Sequence, residues 1–109
     1  MIFHLTTPSR WETYLENMVG KFIAPSLSTE GFIHCSTKDQ VLESANRHFE
    51  GEAELVVLCI VEKRVKEMLK WETSRNNELF PHLYGGIPLE AIETTESLER
   101  NEDGKFEWQ

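Results

Sequence analysis

The run Leu55-Val56-Val57-Leu58-Cys59-Ile60-Val61 limits most what this chain can become. It lacks the polar-apolar alternation of a half-exposed strand, and it is rich in β-branched residues. Glu54 to Val61 therefore reads as a strand covered on both faces. The run is far shorter than the ~20 apolar residues a membrane helix needs. A strand of this kind belongs in the middle of a sheet. A chain of 109 residues has room for one such core. With no repeat, linker or low-complexity tract, residues 1–109 are expected to form one continuous domain.

The flanking pattern supplies the other layers. Ile2 to Thr6 reads as a strand, and Thr7-Pro8-Ser9 opens a helix to about Asn17, closed by Gly20, with Trp11, Tyr14, Leu15 and Met18 as its apolar stripe. Lys21 to Gly31 is irregular, and Phe32 to Ser36 is a second strand. Thr37-Lys38-Asp39-Gln40 matches a capping box, after which Val41, Leu42, Ala45 and Phe49 share a helical face up to Gly51. Leu69 to Thr73 is a short strand, Ser74 to Asn77 a polar loop, and Glu78 to Gly86 an aromatic segment of no clear type. Ala91 to Arg100 and Lys105 to Trp108 form a hairpin in which Ile92 and Leu98 face Phe106 and Trp108. The fold class is α+β, with about six strands and two main helices.

Chemistry concentrates where the strands alternate. His4 and Thr6 share one face of the first strand, and His34 and Ser36 share one face of the second. If these strands lie in one sheet, both imidazoles open into the same cleft, the usual form of a polar ligand site. The structural alternative is packed histidines beside helix-capping hydroxyls. Glu78, His82 and Tyr84 make a second polar and aromatic concentration, and Trp71 can stack on a flat ligand. No metal is expected, because the histidines lack ligand spacing. Cys35 and Cys59 are expected to be buried free thiols. A formal charge of −8 repels phosphate backbones and anionic lipid, so neither nucleic acid nor membrane is an expected partner. The cysteine usage and the absence of a leader pattern suit a cytoplasmic chain.

Ser26-Leu27-x-x-Glu30-Gly31-Phe32-Ile33-His34-Cys35-Ser36, then Glu78-Leu79-Phe80-Pro81-His82-Leu83-Tyr84-Gly85 and Ile87-Pro88-Leu89, closely resembles the mainly bacterial domain-of-unknown-function family 952 (DUF952) over nearly the whole chain. Phe3-His4-Leu5-Thr6 and Ile33-His34-Cys35-Ser36 are more distantly similar to the tyrosine-His-Gly-Thr and Val-His-Leu-Ser strings of RNA 2′-phosphotransferases. Leu5 stands where that group has glycine, and the group's basic RNA-binding equipment has no counterpart here. The resemblance implies an ADP-ribosyltransferase-like fold, with two small, mainly antiparallel sheets and two main helices gripping NAD. His4 and Thr6 then lie near the adenosine ribose, and the His34 to Ser36 strand beside the nicotinamide. Tyr84 or Trp71 stacks on the nicotinamide, and Glu78 stabilises the positive charge on the ribose as nicotinamide departs. The function expected from it is NAD-dependent ADP-ribosyl- or phospho-transferase-type chemistry on an unknown acceptor. The alternatives are a non-catalytic small-ligand (nucleotide-like) binding domain and a structural or interaction protein.

Overall fold

The computed structural model describes all of residues 1–109. Its elements in chain order begin with β1 (Ile2–Thr6), α1 (Pro8–Asn17), α2 (Ser26–Thr29), β2 (Ile33–His34), α3 (Val41–His48) and β3 (Glu54–Ile60). They continue with β4 (Leu69–Thr73), β5 (Leu79–Leu83), β6 (Ile92–Arg100) and β7 (Phe106–Trp108). The architecture is α+β, built on two antiparallel sheets. One has the order β1-β3-β6-β7 and the other β2-β5-β4. No helix is long and apolar enough to cross a membrane.

Strand β3 is flanked by β1 and β6 and divides the core in two, because its side chains alternate across the sheet. Leu58 and Ile60 join Ile2, Phe22, Ile33 and Leu83 on the face covered by the second sheet. Leu55, Val57 and Cys59 join Phe3, Leu5, Val41, Ala45, Leu98 and Phe106 on the face covered by α3. Covering one strand from both sides is what removes the alternation from its sequence.

The first helix starts as its sequence requires. Thr7 Oγ1 accepts the Arg10 N–H at 3.2 Å, and Pro8 occupies a position where an N–H has no helical partner. It stops at Met18, in the left-handed region at φ 44°, before Gly20 is reached. The expected stripe is only half used: Trp11 and Tyr14 pack on Phe22, whereas Leu15 and Met18 are exposed. The helix α3 enters through a single tight turn at Lys38–Gln40, where Gln40 Oε1 accepts the Thr37 N–H at 3.0 Å. Both cysteines are free and buried.

The unclassified aromatic segment is β5, the middle strand of the second sheet. Pro81 argues against a central strand, since it cannot donate to a ladder. It is tolerated because β2 leaves at that level: Cys35 N–H donates to Pro81 O at 3.0 Å, and at Ser36 the chain has crossed to β1. The strands of His4 and His34 therefore do not lie in one sheet. A single bridge, Phe3 to Ser36, joins β1 to the end of the β2 segment. Strand β2 is too short to serve both sheets along its length. The hairpin forms with Leu98 opposite Trp108, but Ile92 lies beyond it, opposite Ile60, and packs in the other half of the core.

Arg100 fastens this hairpin to the loop after α3. Its guanidinium donates to four carbonyl oxygens, those of Phe49, Glu50, Glu52 and Gly104, at 2.6 to 2.9 Å, and lies over the Phe106 ring. A planar fork makes these bonds together, and an ammonium cannot. Arg100→Lys is expected to lower the unfolding free energy by about 2 kcal/mol. In urea titration the midpoint should fall with an unchanged slope.

Candidate functional site

Where the sheets part, a cavity of about 680 Å³ opens between β1, the β2 segment, the end of α3 and the β4–β5 connection. All four histidines of the chain line it, together with Arg10, Arg47 and Arg75. Glu30 is the only acid on its wall. A chain with 19 acids against 11 bases thus gathers positive charge into one concavity. Thr6, Ser36 and Ser44 add hydroxyls.

Each imidazole is held in a defined orientation by its partner. His4 Nδ1–H donates to His34 O at 2.7 Å, its ring edge-on to Phe22. Burial, the largest influence, lowers its pKa to about 4, so the ring is neutral at pH 7. His34, half exposed, donates from Nε2 to Glu30 at 3.1 Å. Arg75 Nη1 donates to His48 Nε2 at 2.9 Å, and burial followed by the Arg75 charge lowers the His48 pKa. His82 Nδ1 donates to Glu72 Oε1 at 2.7 Å. Tyr84 OH donates to the same oxygen at 2.6 Å. The Tyr84 bond, then the His82 bond, lower the Glu72 pKa, and the Glu72 bond raises that of Tyr84.

Three buried side-chain atoms have no hydrogen-bond partner: Thr6 Oγ1, Arg75 Nε and His82 Nε2. All three residues line this cavity. Each such atom costs on the order of 1–3 kcal/mol when nothing satisfies it. Their gathering on one wall leaves hydrogen-bonding capacity there that a polar ligand could take up. Burial raises the pKa of Cys35, also on the wall, so it stays a neutral thiol. Nowhere do three His, Cys, Asp or Glu side chains converge as a metal site.

The model of the family described as "Protein of unknown function (DUF952)" matches residues 5–95. The chain belongs to this family. The crystal structure of protein CC0527 from Caulobacter crescentus is similar to it at 31% identity, with a TM-score of 0.86 over 97% of this chain and 92% of that one. Its solution NMR structure aligns with a TM-score of 0.79, at 31% identity, over 95% and 89% of the two chains. No curated protein matches the chain.

Within this DUF952 fold the residues singled out from sequence divide. His4, Thr6, His34 and Ser36 meet on the cavity wall, although their strands belong to different sheets. Glu78, Trp71 and Tyr84 do not line it. Glu78 instead accepts from Gln40 Nε2 at 3.3 Å. Trp71 lies on the edge strand β4, 42% exposed, and Tyr84 reaches the site only through Glu72 and His82. Capping does not account for the two hydroxyls: the α1 cap is Thr7, and Ser36 Oγ lies 3.3 Å from Ser44 Oγ. The sequence reading missed His48, Arg75, Arg47 and Arg10. The first two stand 27 residues apart and meet only in the fold.

The lowered His4 pKa sets a pH dependence. A ring that resists protonation when folded stabilises the fold fully above its unfolded value of 6.5, and that contribution is lost as pH falls towards 4. Across this window the wild type should lose about 3 kcal/mol through His4. His4→Gln is expected to remove this slope, leaving a flatter stability curve between pH 6.5 and 4 in urea titrations at several pH values.

Proposed function

We propose that the cleft binds a phosphate-bearing nucleotide of the NAD or ADP-ribose class. On this reading the chain is an ADP-ribosyltransferase-like enzyme acting on an acceptor outside the nucleic acids. The observation that carries it is the wall itself: three arginines, four histidines and the chain's three unpartnered buried polar atoms, against one acid, in a protein of charge −8. A low-dielectric concavity of one sign attracts a compact anion strongly at short range. Its volume, about 680 Å³, lies within the range of small-molecule sites.

The fold-level part of the proposal draws support from the parting of two small antiparallel sheets at the cleft, with His4 and Thr6 on one side and His34 on the other. When bound, NAD supplies a ribose joined to a good leaving group, and this chain's residues bind and orient it. His4 and Thr6 face one half of the ligand, His34 and Ser36 the other, and Arg75 and Arg47 its phosphates. Glu30 is the acid available beside a sugar held near His34, whereas Glu78 is engaged with Gln40 off the wall. That position of Glu78 also favours a second reading, a nucleotide-binding domain without catalysis.

Calorimetric titration tests the first step. NAD or ADP-ribose should bind at or below millimolar concentration, more weakly as salt rises, while adenosine, lacking phosphate, should bind far less. His34→Ala is expected to weaken binding about 10- to 100-fold, the loss of one or two ligand hydrogen bonds. Its urea midpoint should barely move, because the ring is half exposed. No heat and no rise in melting temperature with either ligand rules the nucleotide reading out.

A further inference from the structure

One arrangement, on the wall at His82 and behind it, is not used by ligand binding alone. Lys70, Glu72, His82 and Tyr84 stand on one face of the second sheet, which the pairing of His34 with His82 extends to β2. His82 is 5% exposed and sandwiched: Phe32 stacks on its ring at 4.1 Å and 20°, and His34 approaches edge-on at 5.5 Å. A carboxylate only accepts, so the 2.7 Å contact with Glu72 puts the proton of the neutral ring on Nδ1. The lone pair is then on Nε2, which is buried, unpartnered and part of a residue that lines the cavity. Tyr84 OH donates to the same Glu72 oxygen at 2.6 Å and so restrains the carboxylate.

We infer that His82 is the proton acceptor of this cleft and that Glu72, held by Tyr84, is the residue that positions it. The inference rests on the nucleotide reading. In the step assigned to it, a hydroxyl group, of water or of an acceptor alcohol, gives its proton to His82 Nε2. The electron pair of the broken O–H bond stays on oxygen, which bonds to the sugar carbon. The bond from that carbon to the leaving nitrogen breaks, and the nitrogen keeps its electron pair. The imidazolium so formed is stabilised by Glu72 and later returns its proton to solvent. The other histidines suit the role less well. His4 is too weakly basic, the His48 Nε2 lone pair is occupied by Arg75, and His34 is backed by an exposed acid in contact with solvent.

The test uses ¹⁵N NMR of the imidazoles on the protein alone, NAD binding by calorimetry, and NAD turnover as a function of pH. The groups facing His82 are Glu72 and Lys70 from β4, His34 from β2 and Tyr84 just past the end of β5, so the profile is compared across variants of His82, His34 and Glu72. In the wild type, His82 should show the Nδ1–H tautomer with a bare Nε2. His82→Gln should lower turnover at least 100-fold, far more than it lowers NAD affinity, and lose the acid limb of the profile. Glu72→Gln should lower turnover about 10- to 100-fold and disturb the tautomer, leaving affinity in place. An Nε2–H tautomer in the wild type overturns the assignment, and so does His82→Gln turning over at the wild-type rate. Wild-type binding without turnover also overturns it and leaves the binding-domain reading standing. No binding at all overturns the nucleotide reading, and the spectrum alone then decides whether Nε2 is the bare acceptor.

Discussion

The two hydrogen bonds between Phe3 and Ser36, 2.9 Å and 2.8 Å, are the seam on which the rest of the structure hangs. They join an edge of one sheet to the end of a strand that belongs to the other. A longer joint would merge the sheets into one surface and close the space between them. Because pairing with β5 ends at Cys35 and pairing with β1 begins at Ser36, the sheets part at that level, and the wall of the cavity takes residues from both. The seam also brings the His34 carbonyl within 2.7 Å of the His4 ring. Two histidines remote in sequence thereby become one polar unit.

What was legible in the sequence was local. The Thr7-Pro8 start of α1, the Gln40 return bond before α3 and the hairpin each arise from residues close to one another, and β3 shows its double cover in its own unbroken apolar run. The failures share the opposite property. Glu78 to Gly86 has no clear type in sequence, because the tolerance of Pro81 in a central strand depends on a neighbour some 46 residues away leaving the sheet, Cys35 bonding to Pro81. Leu15 and Met18 have helical spacing but no layer above them. His4, Thr6, His34 and Ser36 could be paired by alternation, yet the sheet each would join could not. Arg75 carried no signal at all in a polar loop, and its meeting with His48 and Ser44 is purely tertiary.

The electrostatics of the chain run in two ranges. At a distance the net charge of −8 repels anions, and that repulsion fades beyond about a Debye length. Inside the cavity, the side chains of Arg10, Arg47 and Arg75 stand beside imidazoles held in place by their hydrogen bonds. For the nucleotide proposed above this would separate selection from attraction: a compact anion would gain from the wall, whereas an extended polyanion would meet the acidic exterior along its whole length.

The Arg100 staple bears on how the molecule comes to be assembled. Arg100 reaches back to the carbonyls of residues 49, 50 and 52, and Phe106 N–H donates to Asn46 Oδ1 at 2.8 Å. These contacts span about half the chain. During synthesis the end of α3 therefore waits for a hairpin made later, and the strand that most needs cover, β3, waits for β6 to cover its free edge. Closure of long loops late in folding is slow and leaves apolar edges open meanwhile. Ser44, Arg47, His48 and Phe49 stand on that unsealed end. A nascent chain of this design completes the wall of its cavity only once β6 and β7 have docked.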